Sequence, residues 1–286
     1  MNEIKTISVC GAGTMGAGIA QVFAQYGFEV YLYDINQAAI VGGKSSIEEN
    51  LKRSVEKGYI EQSVADNTLK SLHFTTDLKM MKADLVVEAI VEKVDIKQSL
   101  FKELAKLLST ETIFASNTSS LSISALAASL PNPARVVGMH FFNPAHIMKL
   151  VEIVQGASTD QTIINTLKEL CIKIGKTPVV CKDSPGFIVN RVARHFYVES
   201  LLLAEEKVST VENIDKLIES VGFKMGPFKL MDVIGNDINF AVTKSIYDAF
   251  QGAAKFRPSR LQEQKVLSGH LGIKSAKGFY DYKVKP

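Results

Sequence analysis

Apolar residues at Ile4, Ile7, Val9 and Cys10 lead into a glycine-rich turn, apolar positions at helical spacing follow from Thr14 to Tyr26, and a second mostly apolar run extends from Phe28 to Tyr33. Short apolar runs bounded by glycine predict buried strands and the 3.6-residue spacing predicts a helix, so this segment reads as a βαβ unit. A charged, helix-favouring stretch follows from Gln37 to Thr68. Apolar runs then return at Leu85 to Ile90, Thr112 to Ala115, Val136 to Phe142, Leu150 to Val154 and Pro178 to Cys181. They are expected to be further strands of a mostly parallel sheet. The turn chemistry of Lys182-Asp183-Ser184-Pro185-Gly186 stops this alternation, which divides the chain into 1–183 and 184–286. Beyond it, Phe187 to Glu206, Val211 to Val221 and Asp237 to Phe250 have helical spacing. The expected fold class is therefore α/β, a Rossmann-type sheet domain followed by an all-helical domain.

Composition narrows the function classes. With 286 residues, 46% of them hydrophobic, the chain can bury a substantial core. A net charge of +3, with cations and anions interleaved, argues against nucleic acid as a partner. Cys10, Cys171 and Cys181 are odd in number and widely spaced, so neither a disulfide framework nor a metal site is expected. No segment has the length of a membrane span or the apolar core of a signal peptide, and a cytoplasmic setting away from membranes is expected.

Gly11-Ala12-Gly13-Thr14-Met15-Gly16 matches G-x-G-x-x-G in the context that gives the motif meaning, after a strand and opening a helix. Gly11 permits the tight turn, Gly13 lets backbone approach a pyrophosphate, and Gly16 lets the helix pack on the sheet, with Thr14 and Met15 at the helix N-terminus facing the phosphates. Asp34 ends the second strand, where a carboxylate can accept from the adenosine ribose hydroxyls and repel a 2′-phosphate. The expected cofactor is NAD rather than NADP. The alternative is a plain strand-to-helix turn, with Asp34 capping a loop.

His140 lies at the C-terminal end of the predicted buried strand Val136 to Phe142, at the edge of the sheet where open α/β folds bind ligands. Removing a hydroxyl proton as hydride departs needs a group that titrates near neutrality, and imidazole does so. Alone, a histidine here reads more readily as a hydrogen-bonded core residue than as a base. Glu152, flanked by Val151 and Ile153, changes that balance: its buried carboxylate needs a partner, and an imidazolium would supply one. A salt bridge to Lys149 is the competing reading. Ser119, in Ser116-Asn117-Thr118-Ser119-Ser120, can meet a substrate oxygen or, with Ser120, cap the next helix. Asn190, in the apolar stretch Phe187 to Val192, can bond a substrate or a neighbouring backbone group.

Gly11 to Gly16, Asn117-Thr118-Ser119-Ser120, His140-Phe141-Phe142-Asn143-Pro144, Ser184-Pro185-Gly186-Phe187-Ile188-Val189-Asn190-Arg191 and Met225-Gly226-Pro227-Phe228 together closely resemble the L-3-hydroxyacyl-CoA dehydrogenase family over essentially the whole chain. The resemblance implies an NAD-binding domain, a helical substrate-binding domain that forms a homodimer, and oxidation of (S)-3-hydroxyacyl-CoA, with 3-hydroxybutyryl-CoA the expected substrate. It makes His140 the base, Glu152 its partner, and Ser119 and Asn190 groups that bond the substrate or support the base. Glu92, Lys97, Ser119, Asn143 and Lys274 fall at positions that contact the cofactor, and Asn50 and Lys57 at positions that meet CoA. The cations Lys44, Lys52, Arg53 and Lys57 share a helical segment that could hold the nucleotide end of CoA but reads more readily, for any one of them, as a solvated face. Gly272-Ile273-Lys274-Ser275-Ala276-Lys277-Gly278-Phe279-Tyr280 departs from the family pattern at Ala276, which replaces a glycine and costs about a kcal/mol if φ is positive there. Two rival readings remain: an NAD-binding structural or sensor protein without turnover, and a dehydrogenase of 3-hydroxyadipyl-CoA or of a free β-hydroxy acid.

Overall fold

Strand β1 (Thr6–Cys10) is buried from its second residue onward, as its Ile-Ser-Val-Cys run requires of a central strand. It leads through the glycine turn into α1 (Thr14–Gln25), whose Ile19, Val22 and Phe23 pack into the core. Then come β2 (Glu29–Tyr33), α2 (Gln37–Glu56), α3 (Gln62–Lys70), β3 (Leu72–Thr75), β4 (Leu85–Glu88), α4 (Val94–Leu107), β5 (Ile113–Ser116), α5 (Ile123–Ala127), β6 (Val136–Phe141), β7 (Leu150–Gln155), α6 (Gln161–Lys173) and β8 (Thr177–Lys182). The computed structural model describes residues 3–282, and the chain divides into two units, Met1–Ser184 and Pro185–Pro286.

In the first unit all eight strands form one sheet, in the order β3-β2-β1-β4-β5-β6-β7-β8. Every pairing is parallel except β6–β7, which is antiparallel. The strand order reverses between β1 and β4, the switch point at which open α/β sheets bind ligands. Two elements differ from the sequence reading. The stretch 37–68 is two helices rather than one, because Gly58 takes φ +69° and turns the chain between α2 and α3. Strand β3 was not foreseen: Leu72-His73-Phe74-Thr75 is short and, as an edge strand, carries a polar face.

The second unit consists of α7 (Val189–Glu205), α8 (Val211–Ser220), α9 (Pro227–Ile234), α10 (Asn236–Ala249) and α11 (Arg260–Leu267) around Tyr197, Leu201, Ile214, Phe228 and Met231. Two buried carboxylates tie its C-terminal segment down. Asp215 accepts from the Phe228 and Lys229 amides and the Tyr280 hydroxyl, and Asp232 from the Phe279 and Tyr280 amides and the Tyr282 hydroxyl. Ala276 has φ +56°, so the alanine in the family's glycine position sits in left-handed backbone.

Candidate active site

The glycine turn is built as its sequence requires. Gly11 has φ +103°, and a Cβ there would lie 2.6 Å from the Ala89 carbonyl oxygen of the neighbouring β4 edge. A Cβ on Gly16 would lie 1.7 Å from the Gly11 oxygen, so only glycine lets α1 start this close to the strand. Gly13 is different: a Cβ there would meet nothing within 4 Å, and it borders a cleft of about 570 Å³ at the switch point. The Gly13 cap offers α1 no side-chain acceptor and its first turn has no carboxylate, which leaves the N-terminal amides and the positive end of the helix dipole toward an anion.

Asp34 stands at the lip of this cleft with Tyr33 and Ile35. Its Oδ2 accepts from the Ala12 amide at 2.8 Å and its Oδ1 from the Asn36 amide at 2.9 Å. Asp34 thus caps its own loop, and the same bonds fix a carboxylate beside the glycine turn. Leu78, Ile96 and Leu100 give the cleft an apolar wall. A bare glycine approach, an uncapped helix N-terminus, a fixed carboxylate and an apolar wall fit the pyrophosphate, ribose and adenine of NAD.

Adjacent in sequence to the cleft-lining residues Ala89 to Val91 and Ile96 lies an ion network. Lys97, 1% exposed on α4, lies 2.6 Å from Glu88 Oε1 at the end of β4 and 3.1 Å from Glu92 Oε2. Glu88 also accepts from the Ser116 hydroxyl at 2.6 Å. Glu92 accepts from the Thr118 hydroxyl and, at 3.1 Å, from the Ser119 amide. Burial works against the Glu92 charge, but Lys97 and these donors outweigh it and hold its carboxyl below the ordinary range. Lys97 thus ties the end of β4 to the loop that carries Ser119. The residue that caps α5 is Ser122, not Ser119 or Ser120.

His140 and Glu152 face each other directly across the antiparallel β6–β7 pair. Both are buried, at 6% and 1% exposure, and His140 Nδ1 lies 2.8 Å from Glu152 Oε2. Glu152 is therefore paired with the imidazole and not with Lys149, and its carboxylate selects the tautomer that carries a proton on Nδ1. Nε2 is the ring nitrogen that Glu152 does not engage. Phe142 packs on the ring at 4.5 Å between centroids. The strand end is anchored twice more: Phe141 meets Phe23 of α1 edge-on, and the Phe141 amide donates to Asn117 Oδ1 at 2.8 Å. Asn143, three residues beyond His140, is exposed in the β6–β7 connection.

The remaining sequence candidates are placed as follows. Asn190 lies in the first turn of α7, where its carbonyl accepts from Arg194. Lys274 pairs with Asp237 at 2.6 Å. Asn50 on α2 donates to Gln21 on α1 at 3.3 Å, and Lys57 is exposed at the C-cap of α2. Lys44, Lys52 and Arg53 pair with glutamates one turn away, as expected of a solvated face. Glu88, Ser116 and Asn117 were missed as site residues. The signal that could have found Glu88 is the one that found Glu152, a carboxylate inside an apolar run.

Two family models match the chain: 3-hydroxyacyl-CoA dehydrogenase, NAD binding domain, over residues 6–184, and 3-hydroxyacyl-CoA dehydrogenase, C-terminal domain, over residues 186–282. The chain is 45% identical to the 3-hydroxyadipyl-CoA dehydrogenase of Escherichia coli K12, covering 100% of this chain and 60% of that protein. A crystal structure of an E. coli K12 3-hydroxybutyryl-CoA dehydrogenase superposes with a TM-score of 0.97 at 44% identity, over 100% of this chain and 61% of that one. The chain thus spans about three fifths of these two relatives. The (S)-3-hydroxybutyryl-CoA dehydrogenase of Ralstonia eutropha superposes with a TM-score of 0.95 at 36% identity, over 99% of this chain and 100% of that one.

Proposed function

This chain belongs to the 3-hydroxyacyl-CoA dehydrogenase family, and from that premise we propose that it reversibly oxidises (S)-3-hydroxyacyl-CoA, with 3-hydroxybutyryl-CoA the preferred substrate, to the 3-ketoacyl-CoA with NAD. The observation that carries this reading is the buried His140–Glu152 pair at the edge of a sheet whose switch point carries the glycine turn. NAD, when bound, supplies the acceptor for the hydride that leaves the carbinol carbon. His140 takes the hydroxyl proton at Nε2, because Nδ1 is already held by Glu152. Glu152 stabilises the imidazolium so formed and keeps the ring from turning, and in the reverse direction His140 returns the proton to the ketone oxygen.

Ser119 and Asn190 bond the substrate or support the base. Gly11, Gly13, Thr14, Met15 and Gly16 hold the pyrophosphate and Asp34 the adenosine ribose. Glu92, Lys97, Ser119, Asn143 and Lys274 contact the cofactor. Support for Glu92 and Lys97 comes from their mutual ion pair beside the cleft. Asn50 and Lys57 are assigned to the nucleotide end of CoA, Lys57 being exposed and cationic. A homodimer through the helical unit belongs to the same reading, supported by the exposed Val192, Leu202, Leu217 and Phe223. So does a cytoplasmic setting, supported by three free cysteines. No helix among the described residues is long and apolar enough to cross a membrane.

The test is reduction of acetoacetyl-CoA by NADH, followed at the reduced-nicotinamide band. Absorbance falls if the reading is right, and constant absorbance leaves an NAD-binding protein without turnover. The full-length match to the Ralstonia protein favours the butyryl substrate, and the E. coli relative named for 3-hydroxyadipyl-CoA supplies the rival. Rates with the two acyl-CoAs and with a free β-hydroxy acid decide between them.

A further inference from the structure

We propose that Lys176 is a positioning residue for the reaction, a buried bracket that sets the turn joining the two strands of the His140–Glu152 pair. Lys176 follows α6 and immediately precedes β8, and it is only 8% exposed. Its Nζ donates to the carbonyl oxygens of Ala145 at 2.6 Å and Met148 at 2.8 Å. Those carbonyls belong to one helical turn, closed by the Met148 and Ile147 amides on the Pro144 oxygen. That turn is the β6–β7 connection: His140 is the penultimate residue of the strand before it, Asn143 stands at its entrance, and Glu152 lies in the strand after it.

The same turn is fixed from the opposite direction by the helix of the glycine turn. A Cβ on Gly18 of α1 would lie 3.2 Å from Ala145 Cβ, so the absence of a side chain there is what lets the turn seat against α1. Ala145, 1% exposed, is thereby held between α1 and the Lys176 ammonium. Burial holds the pKa of Lys176 below the ordinary lysine value, so keeping a charge here costs free energy that an apolar residue would not. The return is geometric. Two charge-assisted bonds register the turn, and with it Asn143 and the edge of β6, against the helix that faces the cofactor phosphates.

The inference rests on His140 as the base, and its test separates the two claims. In Lys176→Met, kcat for acetoacetyl-CoA reduction is expected to fall tenfold or more while the Kd for NAD, read by titration, changes by less than kcat does, since Asn143 shifts but the glycine turn is untouched. In Gly18→Ala, which crowds the same turn with the ammonium in place, kcat is expected to fall about threefold or more, again by more than NAD affinity. A folded Lys176→Met at wild-type kcat overturns the bracket; should that variant fail to fold, Gly18→Ala at wild-type kcat overturns it. If the wild-type protein leaves NADH unoxidised, the premise fails instead. The bracket is then judged from imidazole proton resonances, assigned with His140→Gln and His146→Gln. A His140 signal displaced in whichever variant folds supports it, and an unmoved one overturns it.

Discussion

Replacing Glu152 by Gln removes one charge and almost no volume from a site 1% exposed. The Nδ1–Oε2 separation is 2.8 Å, but the charges are spread over a ring and a carboxyl group, so their centres lie about 4 Å apart. At an effective dielectric constant of about 20 the attraction between carboxylate and imidazolium is then about 4 kcal/mol. A proton about half transferred in the transition state forfeits about half of that, about 2 kcal/mol, or about thirtyfold in kcat. The amide can also present its NH2 to Nδ1 and favour the tautomer with the proton on Nε2, which removes the base function and adds to the loss. The assay is kcat for NAD-dependent oxidation of (S)-3-hydroxybutyryl-CoA, the direction in which His140 gains the proton, with NAD affinity titrated in parallel. A fall of thirtyfold or more with NAD affinity unchanged is expected. A folded Glu152→Gln protein with kcat within twofold of wild type would refute the electrostatic argument.

Gly13→Ala and Gly16→Ala should fail in different ways. The first adds a methyl group to open space at the cleft, so Tm stays within a few degrees while NAD binding weakens about tenfold or more; the second drives a Cβ into the Gly11 carbonyl and lowers Tm. Ala276→Gly relieves a φ of +56° and should raise stability by about 0.5–1 kcal/mol after the extra chain entropy of glycine is counted, read as a higher denaturant midpoint at constant m. The Glu92 carboxyl is held below the ordinary glutamate value of 4.5 in the folded protein, so its contribution is present above that pH and is lost as pH falls through the folded value. Glu92→Gln should therefore flatten the decline of Tm between about pH 5 and pH 3, and a decline as steep as that of wild type would contradict this.

Much of the site was legible because the same residues serve folding and chemistry. The glycine turn declares itself since Gly11 and Gly16 have no room for a side chain, and the apolar runs around His140 and Glu152 mark both as buried. What pairs them was not legible. An eight-residue connection between β6 and β7 lets the strands run antiparallel and fixes a register that puts residue 140 opposite 152, and periodicity carries no register. The Glu88–Lys97 pair was hidden for a similar reason. Lys97 looks like one more cation on an exposed helix, and only the approach of α4 to the end of β4 buries it. Strand β3 escaped because four residues at a sheet edge show too little alternation to separate them from a loop.

The central claim is that His140 takes the substrate proton at Nε2 while Glu152 holds Nδ1. The most direct measurement is His140→Gln, assayed for acetoacetyl-CoA reduction and for NAD binding in the same preparation. A fall in turnover of about 10²-fold or more, with NAD affinity near wild type, is the result this account requires; wild-type turnover in that variant would remove the imidazole from the reaction.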